Sequence, residues 1–381
     1  MKYCMKKVLF DIASTQPSKS GKRHGGGKYG EEVFFEIVRK KMPVSCLIDS
    51  SKWLNPTVQD LLLYHDIETY DISKESLSSI ISKNDIEIFY SPLPGDKIEK
   101  CNCKMIGTIH GMRSVELQYD KLMGAYNSTS AFERLKFLIK KYLPLLGYKH
   151  ACAYFNEVLR HNNFTFVMVS QHSRNSLLSY FPQFANKEIP VFYSPATNNI
   201  LIEEKKYNDK FYFLVSANRW EKNNLRAIIA IDRLISHGLI SDIKVRITGL
   251  SSPNDIRYKI RNLECFDFIG YVDETELAQL YHDAYCLIYP SLNEGFGYPP
   301  IEAMKYGVPV IASPFTSISE ICEGSVLYTN PLSIEEIMSR ILMMETDDIH
   351  NKYSVLSISQ YEKIRKIQDE DLDRLIDFIY K

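Results

Sequence analysis

Residues 284–313 read AYCLIYPSLNEGFGYPPIEAMKYGVPVIAS. Two apolar runs, 284–290 and 308–313, bracket a Gly-Phe-Gly turn (Gly295, Phe296, Gly297), a proline pair (Pro299, Pro300) and two glutamates, Glu294 and Glu302. Short continuous apolar runs bounded by turn residues are those of strands buried on both faces of a parallel sheet. Between them PPIEAMKYG reads as a helix, since proline is accommodated in a first turn and Gly307 stands where a helix stops. The stretch is therefore a strand, loop, helix and strand, with Glu294 in the loop and Glu302 in the first turns of the helix. Glycines let a ligand approach bare backbone, and a helix start favours an anion. A phosphorylated, hydroxyl-rich ligand suits such a place.

The same alternation extends outward. KVRITG (244–249) and FDFIGYV (266–272) read as strands, as does FYFLVSA (211–217), which is followed by NRWEKNN and a helix over 225–238. In the first half the strand candidates are 7–13, 45–49, 86–92, 104–111 and 164–170. After the first strand a polar loop over 18–30 carries Gly25, Gly26, Gly27 and Gly30 among Lys22, Arg23, His24 and Lys28, with a helix expected over 31–40. It is neither a G-x-G-x-x-G fingerprint nor a Walker A motif, yet strand, glycine loop and helix open a doubly wound α/β domain. TIHG (108–111) puts His110 at a strand's C-terminal end, the ligand edge of such a sheet. The polar segment 197–210 reads as a linker, giving domains 1–196 and 197–345 and a helical tail, 346–381. Within that tail Asp371-x-Asp373 reads as a solvated helix face.

Residues 134–150 (RLKFLIKKYLPLLGYKH) carry five basic and no acidic residues, with Leu, Phe and Ile at helical spacing. Two readings stand: a half-buried helix with a solvated basic face, which amphipathic helices commonly are, or a helix lying on an anionic membrane surface. Composition narrows the class. A chain of 381 residues suits two domains, and 45% hydrophobic with 24% charged residues is that of a globular protein. The net charge of −1 gives no case for nucleic acid. The eight cysteines are scattered without a C-x-x-C, and Cys101 and Cys103 lack a second ligand pair at zinc spacing, so reduced thiols are expected. Asp11 interrupts the first apolar run, so a first strand is expected there in place of a signal peptide, and no run approaches a membrane span. The expected location is cytoplasmic, and peripheral at the inner face of the membrane only on the second reading of 134–150.

Two such domains would set the glycine loop and His110 of one opposite Arg219, Lys222, Glu294 and Glu302 of the other. Cations suit a diphosphate, and carboxylates accept hydrogen bonds from sugar hydroxyls. On these residues the chain resembles the retaining glycosyltransferases of the GT-B fold, family 4 (glycosyl transferases group 1). FYFLVSANRWEKNNLRAIIA (211–230) resembles the family's strand with its Arg and Lys, and 268–313 resembles its E-x7-E signature with the strand and helix before it. GGGKYGEEVFFEIV (25–38), TIHG and the segments 165–181 and 189–198 resemble the family's first-half elements. The tail departs from the pattern, with SISQYEK in place of an aromatic-Trp segment.

The resemblance implies roles. Arg219 and Lys222 would pair the donor's diphosphate, and Glu302 would take the ribose hydroxyls. Glu294 and the N–H groups of Gly295, Phe296 and Gly297 would hold the transferred sugar. Tyr271 and Val272 would line the base pocket, His110 would lie at the sugar, and Gly25, Gly26 and Gly27 would form the glycine loop. His110, Glu294 and Arg219 would be the catalytic set. The donor would be a UDP- or GDP-sugar, the acceptor a glycan or lipid-linked sugar in bacterial surface polysaccharide assembly, and neither metal nor cofactor is implied. Three alternatives remain open: a hydrolase using the two glutamates as an acid and nucleophile pair, an epimerase or phosphorylase on the same fold, and a non-catalytic partner subunit.

Overall fold

The computed structural model describes residues 6–17, 25–95, 97, 101–117, 119–126, 131–197 and 200–381, with the backbone only of 131–134 and 136. The loop cations Lys22, Arg23 and His24 fall outside the described residues. The chain divides into two compact units, each built on a six-stranded parallel sheet.

The first unit comprises Met1–Gly111, Cys152–Thr197 and Lys366–Lys381. Its strands are β1 (Val8–Asp11), β2 (Ser45–Ile48), β3 (Thr69–Asp71), β4 (Ile88–Ser91), β5 (Lys104–Ile109) and β6 (Phe164–Met168), in spatial order β3-β2-β1-β4-β5-β6. β1 and β4 are buried at every position, which is why each reads as an apolar run up to its last residue, Asp11 or Ser91.

Gly25, Gly26 and Gly27 do not form a loop: the first helix runs Gly25–Arg39, so they are its opening turn. Gly30 has a packing task instead, since a Cβ there would lie 2.6 Å from the Thr15 side chain and 2.7 Å from that of Pro92. Expecting a loop from glycine content overlooked that a glycine can serve close approach between elements.

The second unit comprises Met112–Ala151 and Asn198–Arg365. Its strands are β7 (Phe211–Leu214), β8 (Lys244–Thr248), β9 (Phe266–Gly270), β10 (Cys286–Tyr289), β11 (Val310–Ala312) and β12 (Leu327–Tyr328), in order β12-β11-β10-β7-β8-β9. Leu287 of the central strand β10 stands between Phe213 of β7 and Val310 of β11.

The domain limits expected from sequence differ in two places. Residues 112–151 go with the second unit because their first part is bound to it. Tyr126 bridges Ile256, the Arg257 N–H donates to the Ala125 carbonyl at 2.6 Å, and Arg226 pairs with Asp120 at 2.8 Å. The tail is one helix, Asp347–Tyr380, grouped with the second unit up to Arg365 and with the first beyond it. Asp371 in this helix is buried rather than solvated, accepting from the Tyr193 N–H at 2.9 Å, while Asp373 pairs with Lys40.

Residues 134–150 do not form one helix. Two helices, Ala131–Tyr142 and Pro144–Arg160, meet at Leu143, because a proline opens a helix but cannot continue one. The apolar stripe, which the half-buried reading would cover, is open to solvent: Leu138, Tyr142, Leu143, Leu145 and Leu146 are all exposed, Leu145 by 71%.

Candidate functional site

In the second unit the chain runs from β7 to β8 and β9 on one side and from β10 to β11 and β12 on the other. β7 and β10 are neighbours, so the loops after them leave the sheet at its topological switch point, where open α/β sheets form a ligand crevice.

The loop after β7 is shaped by its own backbone. Ser216 takes a left-handed φ of 55°, the Ala217 N–H donates to the Thr248 carbonyl at 2.8 Å, and a short turn, Trp220–Lys222, ends at left-handed Asn223 (φ 60°). Asn tolerates that conformation better than most residues. Its amide nitrogen donates to the carbonyls of Pro290, at 2.9 Å, and Pro331, at 2.7 Å. Asn223 thereby ties the loop after β7 to the loop after β10.

This tie brings Lys222 and Glu294 together. Lys222 Nζ donates to Glu294 Oε1 at 2.6 Å and to the Tyr289 hydroxyl at 2.7 Å. Tyr289 in turn donates to the same Oε1 at 2.6 Å, and Ser291 Oγ does so at 2.5 Å. Burial favours a neutral Glu294, but Lys222 and these hydroxyls outweigh it, so its pKa lies below the ordinary value and the group is a carboxylate. Burial holds Lys222 below the ordinary lysine value despite the pull of Glu294. The loop is fixed from the other side by Thr316 Oγ1, which accepts from the Glu294 N–H at 2.9 Å, and by Ser317 Oγ, which donates to the carbonyls of Glu294 and Phe296.

Arg219 lies beside the pair. Its Nε and Nη2 donate to Glu221 Oε1 at 2.9 and 2.7 Å, and Arg113 Nη1 reaches the same oxygen at 2.8 Å. Burial opposes the charge on Arg219, and Glu221 more than offsets it. Glu302 is half-buried on the helix Tyr298–Met304. Both glutamates act on one group: burial first, then Glu302 and Glu294, push the Tyr281 hydroxyl well above its ordinary pKa.

The anion-favouring helix start is weaker than its sequence suggested. The helix has seven residues, and Pro299 and Pro300 bring no N–H to its first turn. The positive groups near it are side chains, Arg219 and Lys222. Tyr271 (62% exposed) and Val272 follow β9, two strands from β7. His110 belongs to the first unit, just past β5. Its Nε2 lies 2.9 Å from the Pro92 carbonyl, which only accepts and so fixes the proton on Nε2, and its ring packs edge-on against Tyr29.

Sequence reasoning missed Tyr289, Ser291, Asn223, Glu221 and Thr316. A signal existed for two of them: a tyrosine in a fully buried strand needs a partner for its hydroxyl, and Ser291 stands three residues before Glu294.

Residues 197–361 match the family model described as glycosyl transferases group 1. Over 149 residues, 38% of this chain, it is 32% identical to the O-antigen chain mannosyltransferase RfbU of Salmonella typhimurium, of which it covers 41%. Over 81 residues, 21% of this chain, it is 41% identical to O-antigen chain mannosyltransferase B of Escherichia coli, of which it covers 21%. The matched stretches thus span well under half of these relatives.

Among solved structures, a glycosyltransferase from Rickettsia africae superposes with a TM-score of 0.65 at 16% identity, covering 99% of this chain and 98% of that one. WaaG, a glycosyltransferase involved in lipopolysaccharide biosynthesis, gives 0.62 at 12% identity, covering 96% and 98%. HepE of Anabaena, in complex with UDP and glucose, gives 0.62 at 14% identity, covering 98% and 100%. The chain has the two-domain α/β fold of the GT-B glycosyltransferases.

Proposed function

We propose that the protein is a retaining glycosyltransferase of family 4, moving a hexose from a nucleoside diphosphate to a glycan or lipid-linked acceptor in surface polysaccharide assembly. The observation that carries this reading is the meeting of Arg219, Lys222, Glu294 and Glu302 around one switch point, within the segment matching glycosyl transferases group 1. A hydrolase pair would leave the cations without a task. The relatives named as mannosyltransferases make a mannosyl donor the first to test, and the UDP in HepE keeps uridine donors beside it.

In the proposed reaction the bond from the anomeric carbon to the diphosphate oxygen breaks, and one from that carbon to the acceptor oxygen forms on the same face. The acceptor's proton passes to the departing phosphate. Arg219 and Lys222 meet the charge that grows on the leaving group, which is preorganised electrostatic stabilisation and calls on no metal. Glu302 takes the ribose hydroxyls and Glu294 the transferred sugar. Tyr271 and Val272 flank the base.

The reading extends to the surface of residues 138–146. Exposed leucines beside Lys140 and Lys141 have the composition of a face that rests on anionic lipid. Vesicles with anionic headgroups should retain the protein on flotation and neutral vesicles should not. Equal recovery from both would remove this surface from the account.

The deciding experiment is a thermal-shift panel of UDP- and GDP-sugars, followed by transfer assays with the donor that stabilises most. Binding to the folded state raises the unfolding midpoint. Arg219→Ala should slow transfer by about 10²-fold or more. No shift with any donor would sink the transferase reading.

A further inference from the structure

We propose that Arg113 is a second guanidinium for the donor diphosphate, and that Glu221 is the positioning carboxylate that holds Arg113 and Arg219 side by side. This rests on the transferase reading above and adds to it a residue that lies more than a hundred positions from the Arg219 loop in sequence.

Glu221 Oε1 accepts from Arg113 Nη1 at 2.8 Å and from Arg219 Nε and Nη2 at 2.9 and 2.7 Å. One carboxylate oxygen thus collects two guanidiniums. Its own backbone is fixed, because its carbonyl accepts from the Leu292 N–H at 2.8 Å in the loop that carries Glu294. Guanidiniums repel one another unless an anion lies between them. Glu221 supplies that anion on the inner side, while both arginines stay open on the outer side, their side chains 42% and 43% exposed. Among the described residues Arg113 Nε has no hydrogen-bond partner although the atom is buried. Lys222 also feels Arg113, whose charge helps to hold its pKa down. The three cations therefore share one field, and a planar fork is the geometry that pairs phosphoryl oxygens two at a time.

The plainer role for Arg113 would be to dock residues 112–126 onto the second unit. That task is already met elsewhere. Arg226, with a 2% exposed side chain, holds Asp120 at 2.8 and 3.2 Å. Tyr126 bridges Ile256, the Arg257 N–H reaches Ala125, and Asn293 donates to Glu116 at 2.5 Å. A half-exposed arginine adds little to a segment pinned by a buried ion pair.

The test is titration calorimetry with GDP, GMP, UDP and UMP on the full chain and on Arg219→Ala, Arg113→Ala, Arg113→Lys and Glu221→Gln, with unfolding midpoints for each. The wild type should prefer one diphosphate to its monophosphate. Arg113→Ala should weaken that diphosphate about 10-fold to 100-fold and the monophosphate far less, with Arg113→Lys recovering part. Glu221→Gln should weaken it too, and should cost less in the Arg113→Ala background than in the wild type, because only its hold on Arg219 is then left to lose. Wild-type diphosphate affinity in Arg113→Ala, alongside a loss in Arg219→Ala, would overturn the inference and leave the transferase reading standing. So would a loss equal for mono- and diphosphate with a lowered midpoint, which marks a docking role. If the wild type binds none of the four, the transferase reading falls and this inference with it.

Discussion

Lys222 and Glu294 form an ion pair of 2.6 Å between side chains only 6% and 8% exposed. Each is a group expected to bind ligand, and each is here the other's partner. A buried pair of this kind is costly to break from one side, because the remaining charge has neither water nor counter-ion. Lys222→Met or Glu294→Gln alone is expected to lower unfolding stability by about 3–5 kcal/mol. The double substitution should be less damaging than the sum of the two, because no orphan charge remains. Urea unfolding of the four proteins closes the cycle, and additive losses would show that the pair carries no coupling.

The same contact sets a pH dependence. Burial is the largest influence on Lys222 and lowers its pKa from the ordinary 10.5, against the opposing effect of Glu294. Only the protonated amine attracts a diphosphate. Affinity is therefore full below the depressed pKa of the free protein and falls as pH rises through it. Nucleoside diphosphate binding should begin to weaken below pH 10.5, ahead of any unperturbed lysine. Lys222→Arg should move that decline to higher pH, since the guanidinium stays charged. Coincident profiles for wild type and Lys222→Arg would mean that another group titrates.

Much of this was legible in the residues, and the exceptions have physical causes. Ten of the twelve strands could be read, most of them as apolar runs because parallel strands buried on both faces admit little else, though Lys244–Thr248 and Phe266–Gly270 carry charged residues. The two missed, Thr69–Asp71 and Leu327–Tyr328, are short edge strands with polar or half-exposed positions, where pattern fades. Glu294, Glu302, Arg219 and Lys222 could be named because they lie in loops and a helix beside readable strands. Arg113, Glu116 and Asp120 could not. Their partners Glu221, Asn293 and Arg226 lie about a hundred residues or more away, and no local spacing encodes such a pairing. The glycine loop was misread because glycine serves both for freedom of φ and for close packing, and composition alone does not separate them.

Asp120 offers a test of that long-range pairing. Arg226 is 1% exposed, and besides Asp120 its guanidinium donates to Asn223 Oδ1 at 2.6 Å, the residue that ties the loops after β7 and β10. Asp120→Ala would strand a buried charge beside that tie. A loss of about 3–5 kcal/mol is expected, with faster proteolysis within residues 112–126. Asp120→Asn keeps an acceptor and should cost less. Wild-type resistance to protease in Asp120→Ala would show that the segment is held without the ion pair.

Gly297 separates two costs that usually arrive together. Its φ of 108° lies where side-chain-bearing residues rarely go, and a Cβ there would meet Ile318 Cδ1 at 2.7 Å. Gly297→Ala should therefore suffer both backbone strain, about 1–3 kcal/mol, and a clash with Ile318. Valine lacks that Cδ1 atom, so Ile318→Val in the Gly297→Ala background removes the clash and leaves the strain. The double variant should unfold later than Gly297→Ala but earlier than Ile318→Val alone. Its donor affinity should stay low, because the turn that sets Glu294 ahead of the helix Tyr298–Met304 is still displaced. Full recovery in the double variant would assign the whole effect to Ile318 and none to the backbone.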